Sequence, residues 1–151
     1  MVDVGDKSLT HRRAVAEGWV RVSATLARAI ASNQLKKGNV LEVARVAGIQ
    51  AAKRTAELVP LCHPLPLDDI AVAVSLRSEG VYIRAEVKTT WKTGVEMEAL
   101  TAVSVAALTV VDMGKAIDRG MVIDQIRLLE KSGGRRGDYV ATQSIDESGQ
   151  E

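Results

Sequence analysis

Apolar residues recur along this chain at two different spacings, and the switches between them outline the elements. Ala14 to Ser23 alternates, with Val20 and Val22 on the side opposite Trp19 and Arg21, which predicts a strand. Ser23 or Thr25 then caps a predicted helix over Leu26 to Gln34, where Leu26, Ala27, Ile30 and Ala31 are helically spaced, and Lys36-Lys37-Gly38-Asn39 breaks it. Val40 to Val59 carries a second helical pattern, weakened at Gly48 by about 1 kcal/mol relative to alanine and stopped by Pro60. Pro64 and Pro66 make Leu61 to Leu67 a rigid, kinked, apolar loop, because each proline removes a donor and fixes φ.

Beyond that loop, Ile70 to Leu76 and Val81 to Trp91 both alternate and are joined by Arg77-Ser78-Glu79-Gly80, the clearest hairpin in the sequence. Val95 to Ala116 is the clearest helix, with Met97, Leu100, Val103 or Ser104, Ala107 or Leu108, and Val111 at three- and four-residue steps. Val122 to Leu129 alternates again and runs into the glycine-rich basic stretch Lys131 to Gly137. The order reads β-α-β-β-α-β if the first two helices form one crossover: the split βαβ arrangement, an α/β (α+β) sandwich with an antiparallel sheet and helices on one face. The other sheet face, with Arg84, Glu86 and Lys88 beside Tyr82, is either solvated or a subunit surface. One domain over 1–151 is expected, with flexible ends at 1–12 and 141–151.

Composition sharpens this picture at a few points. The chain has no Phe, two Trp and two Tyr, so aliphatic side chains must fill the core, and Ala and Val supply 20 residues each. Twenty Lys and Arg against 19 Asp and Glu leave a formal charge of +1, which gives no general push toward nucleic acid or an anionic membrane. Stacking platforms for RNA are also missing. One cysteine, Cys62, rules out an internal disulfide. No run of 18 apolar residues appears, and the first residues lack a basic lead and an apolar core, so a cytoplasmic protein is expected.

Four places carry candidate chemistry. Asp112 and Lys115 stand three apart on a predicted helix and suit an acid–base pair, although an exposed ion pair worth about 0.3–0.5 kcal/mol satisfies the same spacing. Glu96 and Glu98 occupy the first turn of that helix, where free N–H groups favour acids for purely structural reasons. Glu98 and Asp112 fall on one helix face but about 21 Å apart, so one compact pocket within a single chain does not hold both. His63 lies in the proline loop, where it can serve as a phosphate donor, an acid–base group or a satisfied structural residue. No metal site is read from His11, Cys62 and His63, whose spacing is not that of zinc ligands, and adjacent Cys62 and His63 point apart, which weakens a nucleophile pair. Lys37-Gly38 and Lys131 to Gly137 suit phosphate contacts or plain solvated loops. Together Arg12, Arg13, Lys37, Lys131, Arg135 and Arg136 hint at a small polyanionic substrate.

Met1 to Val4, Gly48 to Thr55, Leu61-Cys62-His63-Pro64-Leu65, Lys92-Thr93-Gly94-Val95-Glu96-Met97-Glu98-Ala99-Leu100-Thr101 and Lys131 to Gly134 closely resemble the cyclic pyranopterin monophosphate synthase family, also called molybdenum cofactor biosynthesis protein C. The resemblance runs from residue 1 to about residue 140. It implies a ferredoxin-like fold, a homohexamer built as a trimer of dimers with pockets at the dimer interface, and no cofactor. It also implies conversion of 3',8-cyclised 7,8-dihydroguanosine 5'-triphosphate, made by an upstream radical enzyme with which functional coupling is expected, into cyclic pyranopterin monophosphate and pyrophosphate. By the same resemblance Asp112, Lys115 and Lys37 are catalytic, with Lys37 on a mobile loop acting from across the interface. Leu61, Cys62, His63, Met97 and Glu98 contact substrate, Glu96 is a further acid in the pocket, and Arg12 and Lys131 lie near the triphosphate.

Three departures from the family pattern stand out. Gly114 replaces a common Cys, Arg135-Arg136 replaces a commoner Lys-Ser, and the short leader common before Met-Val-Asp-Val puts part of a substrate-side segment in question here. A non-catalytic nucleotide-binding regulator of the same fold is the alternative of another class.

Overall fold

A computed structural model describes residues 1–142; the polar tail expected over Asp146 to Glu151 lies outside the described residues. The chain runs β1 (Thr10–Arg21), α1 (Ala24–Ala31), α2 (Val40–Ala52), α3 (Thr55–Leu58), β2 (Asp69–Arg77), β3 (Gly80–Trp91), α4 (Glu96–Gly114), β4 (Val122–Ser132) and β5 (Tyr139–Val140). The sheet order is β2-β3-β1-β4-β5, and every neighbouring pair is antiparallel. Apart from the short β5 edge, this is the expected split βαβ order, with the helices packed on one face.

Four boundaries differ from the sequence pattern, each for a local reason. β1 starts at Thr10, four residues early, because Thr10 to Arg13 pairs with Lys88 to Trp91 although its side chains show no apolar alternation. Ser23, not Thr25, caps α1 by accepting a hydrogen bond from Leu26 N at 3.2 Å. The helix expected over Val40 to Val59 divides at Lys53–Arg54, leaving the one-turn α3. β4 continues to Ser132, so Lys131 sits on a strand opposite Ala14 of β1 rather than in a flexible loop.

Small side chains decide how the core closes. Ala44, Gly48 and Ala51 of α2 and Ala99, Ala102 and Ala106 of α4 are buried, and a β-carbon on Gly48 would lie 3.0 Å from the Ala102 carbonyl oxygen. Gly48 therefore lets the two helices approach closely, which offsets its poor helix propensity. The second helical glycine has a similar reason: a β-carbon on Gly114 would lie 2.7 Å from Leu26 Cδ2, so Leu26 and Met121 occupy the space a larger residue would take. The inward faces of β1 and β3 complete the core with Ala14, Ala16, Val20, Val81, Ile83, Ala85 and Val87, all fully buried. Helix α4 has the length and apolarity a membrane span would need, but its inward face is buried against the sheet and α2.

The opposite sheet face is laced with ions. Arg13 donates to both oxygens of Glu86 at 3.0 Å and to Glu130 at 2.6 Å. This holds Glu86 at a pKa of about 2. It also removes Arg13 from the cations available to a substrate, contrary to the grouping by sequence.

At the β2–β3 turn Gly80 has φ +134°, and a β-carbon there would lie 2.3 Å from the Val20 carbonyl oxygen. We expect Gly80→Ala to cost about 2–4 kcal/mol, from backbone strain plus a clash with β1, read as a lower urea midpoint at unchanged m-value. An unchanged midpoint would contradict this packing.

Candidate active site

The site residues gather at the two ends of α4. At the N-terminal end, a cavity of about 520 Å³ is lined by Arg12, His63, Glu96 and Lys131, together with Lys7, Arg135 and Arg136. A second cavity of about 330 Å³ takes in Cys62, His63, Met97 and Glu98. His63 and Glu96 border both.

Local structure explains this convergence. The proline loop cannot form regular structure, but Thr89 Oγ1 donates to the Pro66 carbonyl at 2.5 Å and Asp68 N to the Lys88 carbonyl at 2.8 Å, which clips the loop to β3. β1 supplies Arg12, whose Nε donates to Thr10 Oγ1 at 2.6 Å. β4 supplies Lys131, at 3.9 Å from Glu96. Lys92 reaches back to the Gly5 carbonyl at 2.6 Å and draws the N-terminal segment along the larger cavity.

Glu98 is the unusual group at this end. Only 4% exposed, it forms no ion pair among the described residues, and burial first, then the nearby Glu96 charge, raises its pKa to about 7. It therefore carries a proton over much of the range below neutrality and can donate a hydrogen bond that an ordinary glutamate cannot. Burial, with the Glu98 charge second, also raises the Cys62 thiol, the opposite of what a nucleophile needs.

The C-terminal end is an open, strongly charged cluster. Lys115 Nζ donates to Asp112 Oδ1 at 2.7 Å, and Lys37 Nζ donates to Asp112 Oδ2 at 2.6 Å. Gly38, at φ +97°, turns the chain after Lys37, and Asn39 caps α2 through Glu42 N. The two ammonium groups, Lys115 first, hold Asp112 at a pKa of about 2. At neutral pH this unit is a carboxylate flanked by two proton donors. The spacing of Asp112 and Lys115 is thus more than a helical ion pair, since a third group from a distant loop completes it.

Of the cations singled out by sequence, Arg12, Lys131, Arg135 and Arg136 come together, Lys37 joins Asp112 at the other end, and Arg13 faces away. Lys7 is the addition that sequence reasoning missed; it lies in a segment without period, and the Lys92–Gly5 contact brings that segment across the site. Among the described residues no three His, Cys, Asp or Glu side chains are grouped as a metal would need.

Comparison with known proteins gives the family. Residues 1–134 match the MoaC family. The chain is 57% identical over 141 residues to cyclic pyranopterin monophosphate synthase of Thermomicrobium roseum, covering 92% of this chain and 85% of that protein. It is 53% identical over 143 residues to the synthase of the same name from Novosphingobium aromaticivorans, covering 95% of this chain and 91% of the relative. The corresponding figures for the Parvibaculum lavamentivorans synthase are 54% over 143 residues, with 93% and 89% covered.

The Glu98 environment makes a signed prediction. Because its folded pKa of about 7 lies above the ordinary 4.5, its contribution to stability is fully present below pH 4.5 and is lost as pH rises through 7. Glu98→Gln should therefore become more stable relative to wild type between pH 4.5 and 8, measured by urea unfolding across pH. A difference that stays flat over that interval would contradict a buried, unpaired carboxyl.

Proposed function

The chain belongs to the MoaC family, a family of enzymes, and we propose that it converts 3',8-cyclised 7,8-dihydroguanosine 5'-triphosphate into cyclic pyranopterin monophosphate and pyrophosphate. The observation that carries this reading is the pairing of a cation-lined cavity at one end of α4 with a carboxylate held between two lysines at the other. The reaction needs both kinds of site. A sugar hydroxyl attacks the α-phosphorus, the bond from that phosphorus to the bridging oxygen breaks, and pyrophosphate leaves with the electron pair. Arg12, His63 and Lys131 offset the charge that builds on the leaving oxygen. Opening the purine and closing the pterin moves protons on and off nitrogen without net oxidation. Lys115 and Lys37 donate protons and Asp112 accepts one. Glu98, protonated near neutrality, donates a hydrogen bond to the ring system from the floor of the cavity beside Met97.

The two groups lie about 21 Å apart along one helix, so the active unit in this reading is a dimer. The outward side of α4 supports it: Met97 and Leu108 are exposed on a stripe with Leu100, Ser104 and Val111, apart from the buried alanines. Two copies packed antiparallel about Ser104 set the partner's Asp112 against Met97 and Glu98, and each interface then forms two complete sites. Three such dimers make the hexamer that the family resemblance implies. Leu61, 71% exposed beside the cavity, gains cover on the same assembly.

Complementation tests this directly. Asp112→Ala and His63→Ala should each fold, assemble and lose turnover by at least about a hundredfold. Co-refolded in equal amounts they should recover about a quarter of the wild-type rate, since half the dimers are mixed and each mixed dimer has one intact site. Recovery no greater than the sum of the separate variants would contradict a shared site. Near-normal turnover by Asp112→Ala alone would contradict the chemistry.

A further inference from the structure

Thr89 is a polar residue on an otherwise apolar face of β3. Val81, Ile83, Ala85 and Val87 share that face, and all four, like Thr89 itself, are buried. A valine would continue the pattern and suit the strand equally well, so the hydroxyl serves neither the core nor the strand. Its Oγ1 donates to the Pro66 carbonyl at 2.5 Å. Thr89 is not among the residues that line either cavity of the site, so it acts there through what it holds.

The segment it holds is short of other ties. Pro64 and Pro66 have no N–H to donate. Cys62 N donates to the Val59 carbonyl at 3.1 Å, and Asp68 N donates to the Lys88 carbonyl at 2.8 Å. Between those two bonds, among the described residues, the Thr89 hydroxyl makes the one hydrogen bond that ties the segment to the rest of the chain. Leu65 and Leu67 pack half-buried against the core, but apolar burial has no direction. A hydrogen bond has one, and it fixes how the segment is turned about its own axis. Thr89 also pairs with Arg12 across the sheet. The same strand position therefore stands beside the arginine on one wall of the larger cavity and holds the loop that brings His63 to the other.

We propose that Thr89 is a positioning residue for His63: its bond to the Pro66 carbonyl sets the proline loop so that the imidazole meets the departing pyrophosphate. The role of His63 rests on the cyclisation reading above. Thr89 touches no reacting atom and transfers no proton. Without its bond the loop turns, and misplacing a group that stabilises developing charge by about 1 Å costs up to about a hundredfold in rate. That charge builds in the transition state, so the loss falls on kcat and leaves KM nearly unchanged. Cys62, the single cysteine of the chain, lies on the same loop and reports its movement without substrate.

The test joins kinetics to alkylation of Cys62 by iodoacetamide in the folded, assembled protein. Thr89→Val keeps the shape and removes the hydroxyl; it should lower kcat by about tenfold or more, with KM within about twofold, and speed alkylation by about fivefold or more. Thr89→Ser restores the donor and should return both to within about threefold of wild type. Thr90→Val is the control: its hydroxyl lies on the opposite sheet face and donates to Asp68, which keeps its backbone bond to Lys88, so turnover and alkylation should stay within about twofold. Placed on His63→Ala, Thr89→Val should lower kcat by less than about twofold further, because its effect passes through the imidazole. A near-normal kcat in Thr89→Val, no rescue by serine, an unchanged alkylation rate, or an undiminished tenfold loss on the His63→Ala background would each overturn the proposal. If wild type does not turn over the cyclised nucleotide, the cyclisation reading fails, and the alkylation rates still decide whether Thr89 holds the loop.

Discussion

The close packing of α4 sets the terms for the rest of the molecule. Its inward side is mostly alanine and valine, with Thr101 and Met113, and Gly48 of α2 leaves the room that a β-carbon, 3.0 Å from the Ala102 carbonyl oxygen, would take. A helix held so tightly is a rigid spacer. It carries Glu96 and Glu98 at one end and Asp112 at the other, with about 21 Å of rise between them. The chemistry at each end is then fixed in place by the core, and in the proposed reading a second chain brings the ends together.

The two ends are also tuned in opposite directions. Glu98 is buried and forms no ion pair among the described residues, so its carboxyl keeps a proton up to about pH 7. Asp112 is open and sits between two ammonium groups, so it loses its proton at about pH 2. The proposed reaction uses such a division: a neutral donor by the ring, cations by the phosphates, and a carboxylate kept ionised.

Much of this was legible in the sequence because the elements that matter have clear periods. The alternation of Val81 to Val87 and the helical spacing through Met97 to Val111 located β3 and α4, and the βαββαβ order followed. The residues at both ends of α4 were legible from their types and from the family motifs. Other features were not, each for a physical reason. Thr10 to Arg13 is a strand made by backbone pairing and cross-strand ions, with no apolar pattern to announce it. Arg13 looked like a phosphate ligand beside Arg12, but alternation along β1 sends neighbours to opposite faces, and Glu86 and Glu130 claim it. Lys7 acquires its place from a contact spanning Gly5 to Lys92, which no local rule contains. The space that Leu26 and Met121 take at Gly114 comes from tertiary packing, which the helical spacing does not announce.

The most direct measurement is incubation of the purified protein with 3',8-cyclised 7,8-dihydroguanosine 5'-triphosphate, with pyranopterin and pyrophosphate quantified together by mass spectrometry. The account predicts equal molar formation of cyclic pyranopterin monophosphate and pyrophosphate, with no added oxidant or reductant. A correctly folded oligomer that binds the nucleotide and releases neither product would contradict it and would support a binding protein of the same fold.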